Sequence, residues 1–496
     1  MIGKENLFTD EQMKQFIANG YVMIKPNVPT SLHKTIYQKL DEVVAKEGNP
    51  GNNLLPRVPE IQEVFDNPVV HGAFTSVVGP NYIMHPHRHP HHNGPGSKGG
   101  GWHKDSYWGY GKVRNHRCWW AMAFYFPQDT PIEMGPTAIM PGTHYYLSRN
   151  NDVSEVKFPA CGEAGTMIII HYDMWHQVTA NLTEKNRFML KFEFARLQWP
   201  IEPTWNNQQE DWKSIEVPEP ANDQTVMWEH LWNWLSGKST KKTPNRASES
   251  EISQWMTALR IGTQPERLEA TNQLGQLGEN GKKAIPTLVD ILGDPSEPVG
   301  LNAAYALGNI IDQESVLPLV DALNHDSETV RRHATYALTS VGPPAIPELI
   351  DSLTHESEHV RANVAYALGE IGSSNSALAL SKLLDDNSVV VRRNVVESLG
   401  IIPNSFHISI PTLVKALEDP DKQIRFTSVL SLARIGPDAE DAIPALQSAL
   451  KDKDRYVRGY AVEALKQIGS PKSKEILLDF LTTTRWCPLT TKESAF

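Results

Sequence analysis

A short helical motif that recurs along the C-terminal half of the 496-residue chain constrains its fold more than any other feature. Copies such as L-N-A-A-Y-A-L-G, R-A-N-V-A-Y-A-L-G and R-R-N-V-V-E-S-L-G share a leucine. This leucine returns every 30 to 33 residues, at Leu274, Leu307, Leu338, Leu368, Leu399, Leu432 and Leu465. One repeat of this length cannot bury its apolar face alone, so neighbouring repeats must stack. The pattern predicts an all-α solenoid of about seven helix pairs over residues 253–482.

An arginine stands seven residues before the shared leucine in all but one copy. The arginines are Arg267, Arg331, Arg361, Arg392, Arg425 and Arg458. Gly300 takes this place in the remaining copy. We interpret the arginine column as structural, bonding neighbouring repeats. The repeats resemble HEAT repeats, especially the short HEAT-like repeats of phycobilisome lyases.

The boundary between two domains is marked by tryptophan, because 12 of the 13 tryptophans lie at or before Trp255. The polar stretch S-G-K-S-T-K-K-T-P-N-R-A-S-E-S-E has the composition of a linker. The sequence therefore predicts a first domain over residues 1–235, a linker over 236–252 and a tail over 483–496 beyond the solenoid. We expect two separable halves, with the solenoid binding a protein partner or a second copy.

Composition excludes several classes of protein. The net charge of -11 and pI of about 5.9 argue against nucleic-acid binding. The three cysteines, Cys118, Cys161 and Cys487, lie far apart in sequence, which excludes a disulfide framework and a zinc-ribbon spacing and suits the cytoplasm. The N-terminus lacks the apolar core of a signal peptide, and no run of 18 apolar residues predicts a membrane span.

The first half has the sequence pattern of a β-structure entered through helices. Thr9 and Gln12 form a capping box before one amphipathic helix, and a second helix is predicted over about residues 31–47. From about residue 80 the chain turns to short aromatic or β-branched runs separated by turn signals. The runs include C-W-W-A-M-A-F-Y-F, T-M-I-I-I and R-F-M-L-K-F-E-F. This order predicts a double-stranded β-helix, or jelly roll.

Three residues of this half are candidates for one metal site. His103 and Asp105 are two residues apart in G-W-H-K-D, so at strand spacing they project to the same side. His176 follows in D-M-W-H-Q-V-T-A-N. Two histidines and one carboxylate form the facial triad of non-haem iron oxygenases, which leaves coordination positions open.

Arg187 follows His176 by eleven residues and begins the run R-F-M-L-K-F-E-F. It shares one strand face with Met189 and Lys191. If that face points into the barrel, its guanidinium offers a permanently charged, bidentate partner for a carboxylate. A dicarboxylate that chelates the metal at one end needs such a partner at the other.

The segment from Leu7 to about Trp199 resembles the phytanoyl-CoA dioxygenase family in four motifs that occur in the same order. The motifs are the opening helix up to Tyr21, G-W-H-K-D, M-G-P-T-A-I-M-P-G-T-H, and W-H-Q-V-T-A-N-L-T-E-K-N-R. The resemblance implies Fe(II), 2-oxoglutarate and O2. It also implies release of succinate and CO2, a ferryl oxidant and hydroxylation of a small-molecule substrate, with no catalytic residue beyond the metal ligands.

The resemblance assigns the metal to His103, Asp105 and His176, and 2-oxoglutarate to Arg187. The family often has a hydroxyl residue two positions after the distal histidine, where this chain has Val178. The adjacent Thr179 is therefore a candidate co-substrate contact. Trp102 and Trp120 are candidates for the substrate pocket. The cluster H-P-H-R-H-P-H-H, from His85 to His92, is interpreted as an exposed strand end, with a second metal site as the less favoured alternative.

A rival hypothesis from another class is a HEAT-repeat scaffold or chromophore-lyase-like binding protein whose barrel has lost catalysis. The complete triad and Arg187 argue against that loss. A di-iron site within the repeats would need histidine–glutamate pairs in several copies, and only His355–Glu356 qualifies. We therefore predict an oxygenase domain followed by a helical solenoid.

Overall fold

The computed structural model describes residues 3–105, 113–149, 157–213, 222–238, 244–310 and 313–483. Its first half contains the predicted double-stranded β-helix, and all strand pairs are antiparallel. The larger sheet has the strand order β1-β6-β3-β8-β2 and the smaller sheet the order β5-β4-β7. The strands are β1 (Tyr21–Ile24), β2 (Ile83–Asn93), β3 (Trp120–Tyr125), β4 (Thr137–Ile139), β5 (Phe158–Pro159), β6 (Met167–His171), β7 (His176–Val178) and β8 (Arg187–Ala195).

In the described part of this half, five α-helices accompany the sheets, and the first two agree with the sequence predictions. They are α1 (Asp10–Asn19), α2 (Thr30–Glu47), α3 (Leu54–Arg57), α4 (Glu60–Phe65) and α5 (Pro68–Val78). The capping box at Thr9 and Gln12 is present. Phe194 of β8 packs on Phe74 of α5, with ring centroids 3.7 Å apart. Because side chains alternate along a strand, the face of β8 that carries Arg187 points away from these helices, into the barrel.

Strand β2 differs from its prediction as an exposed strand end. The histidine- and proline-rich segment is a full strand that forms one edge of the larger sheet and pairs with β8. Proline is tolerated there because one side of an edge strand has no ladder partner. The register shifts between Met84 and Arg88, and the His85 side chain is fully buried. Its ring lies 5.1 Å from the ring of Tyr460 in the solenoid, so the second half of the chain covers this end of the strand.

The second half is the predicted stack of helix pairs. A tryptophan-rich helix, α6 (Thr225–Leu235), precedes it and contacts both halves, since Trp232 packs on Trp205 and His230 on Tyr305. The pairs are α7 (Glu249–Ile261) with α8 (Gln264–Gln276), α9 (Ile285–Ile291) with α10 (Glu297–Ile310), α11 (Gln313–Ala322) with α12 (Glu328–Val341), α13 (Ile346–Ser352) with α14 (Glu358–Ile371), α15 (Ala377–Lys382) with α16 (Val389–Ile401), α17 (Phe406–Ala416) with α18 (Lys422–Ile435), and α19 (Ile443–Ala449) with α20 (Arg455–Ile468), and the stack ends on α21 (Pro471–Thr483).

The arginine column forms a ladder between repeats. Arg361 pairs with Asp386, Arg392 with Asp419 and Arg425 with Asp452, each aspartate lying in the turn of the next repeat. The exception at Gly300 has a steric cause, because a Cβ there would lie 2.5 Å from the His333 ring. The structural interpretation of the column agrees with these contacts.

Replacing one ladder arginine should destabilise the solenoid. Arg425→Met removes two hydrogen bonds to Asp452 and two to carbonyls of its own turn, at 2.8–3.2 Å, and the Arg425 side chain is 6% exposed. We expect a loss of about 1–3 kcal/mol in the free energy of unfolding, measured by chemical denaturation. Arg331→Met is the matched control, because the ladder aspartate is replaced by His355 in the next turn. An equal loss in both variants would contradict the role of the arginine–aspartate pair.

The two halves share a buried interface, formed by the second helix of several repeats. Glu370 of α14 is 2% exposed and accepts hydrogen bonds from Trp119 Nε1 at 2.8 Å and Arg117 Nη1 at 3.2 Å. The Arg434 guanidinium of α18 lies 5.2 Å from the Trp119 ring centroid, and its Nε donates to the Arg196 carbonyl at 3.1 Å. The solenoid surface facing the barrel is therefore occupied, in part, by the same chain.

Some sequence predictions lie outside the described residues. They concern Cys487, residues 484–496 of the tail and residues 239–243 of the linker. Among the described residues, no helix is both long and apolar enough to cross a membrane.

Candidate metal centre

Backbone pairing places His103 and His176 side by side. Their N–H groups each donate to the other residue's carbonyl at 3.0 Å, which makes an antiparallel bridge between the G-W-H-K-D segment and β7. Side chains of such directly opposed residues lie on the same face. The two imidazole rings are accordingly 4.4 Å apart between centroids.

In each histidine, a hydrogen bond at Nδ1 determines which ring nitrogen is free to bind a metal. His103 Nδ1 lies 3.0 Å from the Gly101 carbonyl, and His176 Nδ1 lies 2.9 Å from the Met174 carbonyl. A carbonyl can only accept, so the proton of each neutral ring is on Nδ1. The Nε2 lone pairs are then available, in the arrangement typical of metal-binding histidines.

Asp105 completes the cluster that the sequence predicted. One of its oxygens, Oδ2, lies 3.6 Å from His176 Nε2. One ligand atom from each of His103, Asp105 and His176 lies within 4.8 Å of the others. Within the part of the chain that the structure describes, this is the one such group of three histidine, cysteine or carboxylate side chains. The histidines of β2 therefore do not form a second site there.

The charge state of the cluster suits a divalent cation. Burial lowers the pKa of His176 to about 4, so its ring is neutral at neutral pH. Burial alone would raise the pKa of Asp105, but the nearby Lys191 and His176 outweigh it and lower the pKa. Lys191 Nζ lies 3.0 Å from Asp105 Oδ2. The donor set is thus two imidazole nitrogens and one carboxylate, and two histidines with one carboxylate are the ligand set of non-haem Fe(II) sites.

Arg187 lies inside the barrel with an incompletely used guanidinium. The residue is fully buried; its Nε donates to the Gly135 carbonyl at 2.9 Å and its Nη1 to the His91 carbonyl at 3.4 Å. Its Nη2 is buried and has no hydrogen-bond partner among the described residues. Burial lowers the pKa of Arg187 to about 10, so it stays charged at neutral pH. A buried cation with a free donor matches a ligand carboxylate.

The other predicted site residues, Thr179, Trp102 and Trp120, have a less direct relation to the triad. The Thr179 hydroxyl donates to the Pro136 carbonyl at 2.6 Å. Trp102 is half-buried beside His103, whereas Trp120 is buried on β3 with its ring 5.9 Å from that of Tyr172. The structure thus brings the three predicted metal ligands together, whereas the Thr179 hydroxyl is bonded to Pro136.

Sequence reasoning did not assign His89 and His91 to the site. They alternate with outward residues on β2 and lie opposite Lys191 and Met189 of β8. Each has a buried ring nitrogen without a hydrogen-bond partner among the described residues, Nδ1 of His89 and Nε2 of His91. The two-residue spacing of these histidines was the available signal, since it places both on the face that carries Arg187.

Comparison with known proteins assigns both halves of the chain. The profile of the phytanoyl-CoA dioxygenase (PhyH) family matches residues 2–189, and that of HEAT repeats matches residues 253–339, 316–400 and 409–488. The chain therefore joins a segment that matches the PhyH family profile to a segment that matches the HEAT-repeat profile. The triad lies within the segment that the PhyH profile matches, which we call the PhyH half, and no curated protein matches the sequence.

Three solved structures are each similar to a part of the chain. A non-haem α-ketoglutarate-dependent carbocyclase, SnoK from nogalamycin biosynthesis, is 18% identical over 39% of this chain and 86% of its own, with a TM-score of 0.33. EctD from S. alaskensis is 12% identical over 41% and 82%, with a TM-score of 0.34. The CpcE–CpcF phycocyanin lyase of Nostoc sp. PCC7120 is 21% identical over 31% and 99%, with a TM-score of 0.29. Likenesses this distant carry no argument about substrate.

Proposed function

We propose that the PhyH half is an Fe(II)- and 2-oxoglutarate-dependent dioxygenase that hydroxylates a small-molecule substrate with release of succinate and CO2. One observation carries the proposal: three side chains able to hold a metal ion and a buried arginine with a free donor belong to the same barrel. His103, Asp105 and His176 would hold the iron. Iron with 2-oxoglutarate and O2 supplies the oxidising chemistry, and the protein supplies geometry and exclusion of water.

The chain's own residues have distinct tasks in this proposal. Arg187 binds the distal carboxylate of 2-oxoglutarate and fixes its direction in the barrel. Lys191 keeps Asp105 ionised and ready to accept a cation. Trp102 and Trp120 border the substrate pocket. Thr179 remains the proposed co-substrate contact; its hydroxyl donates to the Pro136 carbonyl in this structure and would turn from it to donate to a carboxylate oxygen.

The domain boundaries predicted above are part of the proposal: oxygenase over 1–235, linker over 236–252, repeats over 253–482 and tail over 483–496. The repeats would bind a protein partner or a second copy through surfaces that the barrel leaves open. We place the protein in the cytoplasm because its described cysteines, Cys118 and Cys161, are free. A scaffold with a non-catalytic barrel is disfavoured, since nothing else in the described chain requires the triad to converge.

The test of the proposed function is production of succinate from 2-oxoglutarate by the purified protein with Fe(II) under air. Even without the true substrate, oxygenases of this kind turn over slowly, so uncoupled succinate is the expected result. A metabolite screen for substrates that raise this rate then identifies the substrate class. Absence of Fe(II)-dependent succinate with every substrate tried, despite metal binding, would favour the scaffold hypothesis.

Arg187→Met should raise the requirement for 2-oxoglutarate. Loss of a buried, charge-assisted pair costs about 2–5 kcal/mol, on the order of 30-fold or more in affinity. We therefore expect the apparent KM for 2-oxoglutarate to rise by at least that factor, measured by succinate formation.

The matched control is Arg196→Met, at the position directly after the same strand. Arg196 is also buried, but it donates to the carbonyls of Cys118 and Val77 outside the site. We expect Arg196→Met to lower the melting temperature and leave the KM unchanged. An unaltered KM in Arg187→Met would show that Arg187 is structural and that another cation, such as Lys191, binds the co-substrate.

A further inference from the structure

Arg114 connects the metal centre to the rest of the chain. Its Nη1 donates to the main-chain carbonyl of Asp105 at 3.0 Å and also forms an ion pair with Asp173. The Arg114 side chain is 8% exposed. The guanidinium therefore fixes the backbone of a residue whose carboxylate belongs to the triad.

The main chain of Arg114 is in turn held by the solenoid. The hydroxyls of Tyr336 on α12 and Tyr366 on α14 both donate to the Arg114 carbonyl, at 2.8 Å and 3.2 Å. A carbonyl has two lone pairs, so the two hydroxyls satisfy it fully. Both tyrosines are buried, and each stands two residues before the shared leucine of its repeat.

Asp105 needs such support because the barrel does not fix it through a sheet ladder. His103 makes an isolated bridge to β7, and in the described structure Asp105 belongs to no strand. Its carboxylate must nevertheless stay within reach of His176 Nε2. Lys191 holds the carboxylate from β8, and the main chain of Asp105 is held separately, by the Arg114 guanidinium.

We propose that the solenoid is a structural part of the metal centre. Tyr336 and Tyr366 are positioning residues that hold Asp105 in place through Arg114. The contacts run from the two hydroxyls to the Arg114 carbonyl, and from the Arg114 guanidinium to the Asp105 carbonyl. This inference rests on the proposed function, because it assumes that Asp105 is a metal ligand. It gives the repeats a role within the oxygenase beyond any binding of partners.

The inference is tested with the full chain and Co²⁺ as a spectroscopic probe of the metal site. Tyr336→Phe, Tyr366→Phe and the double variant remove the hydroxyls and keep the rings. Loss of a group that hydrogen-bonds directly to a metal ligand typically weakens metal binding 10- to 100-fold, and the tyrosines act one step further out, so the lower end of this range applies. We expect the Co²⁺ dissociation constant to rise by about 10-fold or more in the double variant, with an altered ligand-field absorption spectrum. The single variants should show smaller changes in the same direction, and they carry the test if the double variant fails to fold.

Tyr305→Phe is the matched control. Tyr305 occupies the same position of its repeat, two residues before Leu307, and is equally buried. Its hydroxyl lies 2.9 Å from His116 Nδ1, so the substitution removes an interface hydrogen bond two residues from Arg114 without touching its carbonyl. We expect a comparable loss of thermal stability and an unchanged Co²⁺ affinity and spectrum.

The outcomes separate this inference from the proposed function. If the unsubstituted protein binds Co²⁺ and the Tyr336 and Tyr366 variants bind it with the same affinity, the positioning role is overturned and the metal centre stands. An equal loss of affinity in Tyr305→Phe would also overturn it, since general loosening of the interface would then be the cause. Failure of the unsubstituted protein to bind Co²⁺ would overturn the metal centre and this role together.

Discussion

His103→Ala should abolish specific metal binding and 2-oxoglutarate turnover while leaving the protein folded. The His103 side chain is exposed, so its removal creates no cavity. Only His176 and Asp105 would then remain of the triad. A ligand that binds the folded state at 100 times its dissociation constant stabilises it by about 2.7 kcal/mol. We expect this metal-dependent rise in melting temperature in the unsubstituted protein and its absence in His103→Ala.

The control for this prediction is His407→Ala, which removes an exposed histidine of α17 in the solenoid. It should retain both the metal-dependent stabilisation and succinate formation. The melting temperatures of both variants without metal should equal that of the unsubstituted protein. Succinate formation that persists in His103→Ala would show that the metal is bound elsewhere.

Sequence patterns predicted the parts of the structure that local chemistry determines. The repeat of leucine, small residues and arginine suffices for helix pairs and for the ladder between Arg425 and Asp452, because each contact joins neighbouring repeats. The triad was predictable because its residues come from two short motifs, and the bridge between His103 and His176 brings them together. Side-chain alternation on β8 likewise placed Arg187 in the barrel.

The β2 strand shows where such reasoning fails. Two prolines interrupt this stretch and a glycine-rich loop follows it, and this favoured an exposed strand end. Tertiary structure overrides that preference. An edge strand has a ladder partner on one side only, so proline can be accommodated there, and Tyr460 of the solenoid covers His85. The contact joins residues 375 positions apart in sequence. No local pattern encodes a contact of that range.

The interface between the halves was unpredictable for the same reason. The tyrosines of A-Y-A-L motifs have the spacing of ordinary core residues, and their rings do pack inward. Their hydroxyls are what reach the first half, at Arg114 and His116. The composition of a linker does not predict whether the two domains that it joins are in contact.

These contacts change what is expected when the chain is divided. Composition of the linker predicted two independently soluble pieces. Expressed alone, the first 238 residues would instead expose Trp119 and leave His85 uncovered, and both are buried in the full chain. The Arg114 carbonyl would also lose both tyrosine hydroxyls. We expect the isolated piece to aggregate or to lack the near-ultraviolet circular dichroism of a packed core, and to show no metal-dependent stabilisation.

Cleavage after folding distinguishes the interface from the covalent connection. A protease site inserted between residues 238 and 244 allows the folded full-length protein to be cut there. Because Glu370 and Arg434 bond to the first half independently of the linker, the two fragments should remain associated on size-exclusion chromatography and keep metal binding. A soluble isolated first piece with unchanged metal affinity would show instead that the barrel is self-sufficient. In that case the repeats would serve only to bind partners, as the linker had suggested.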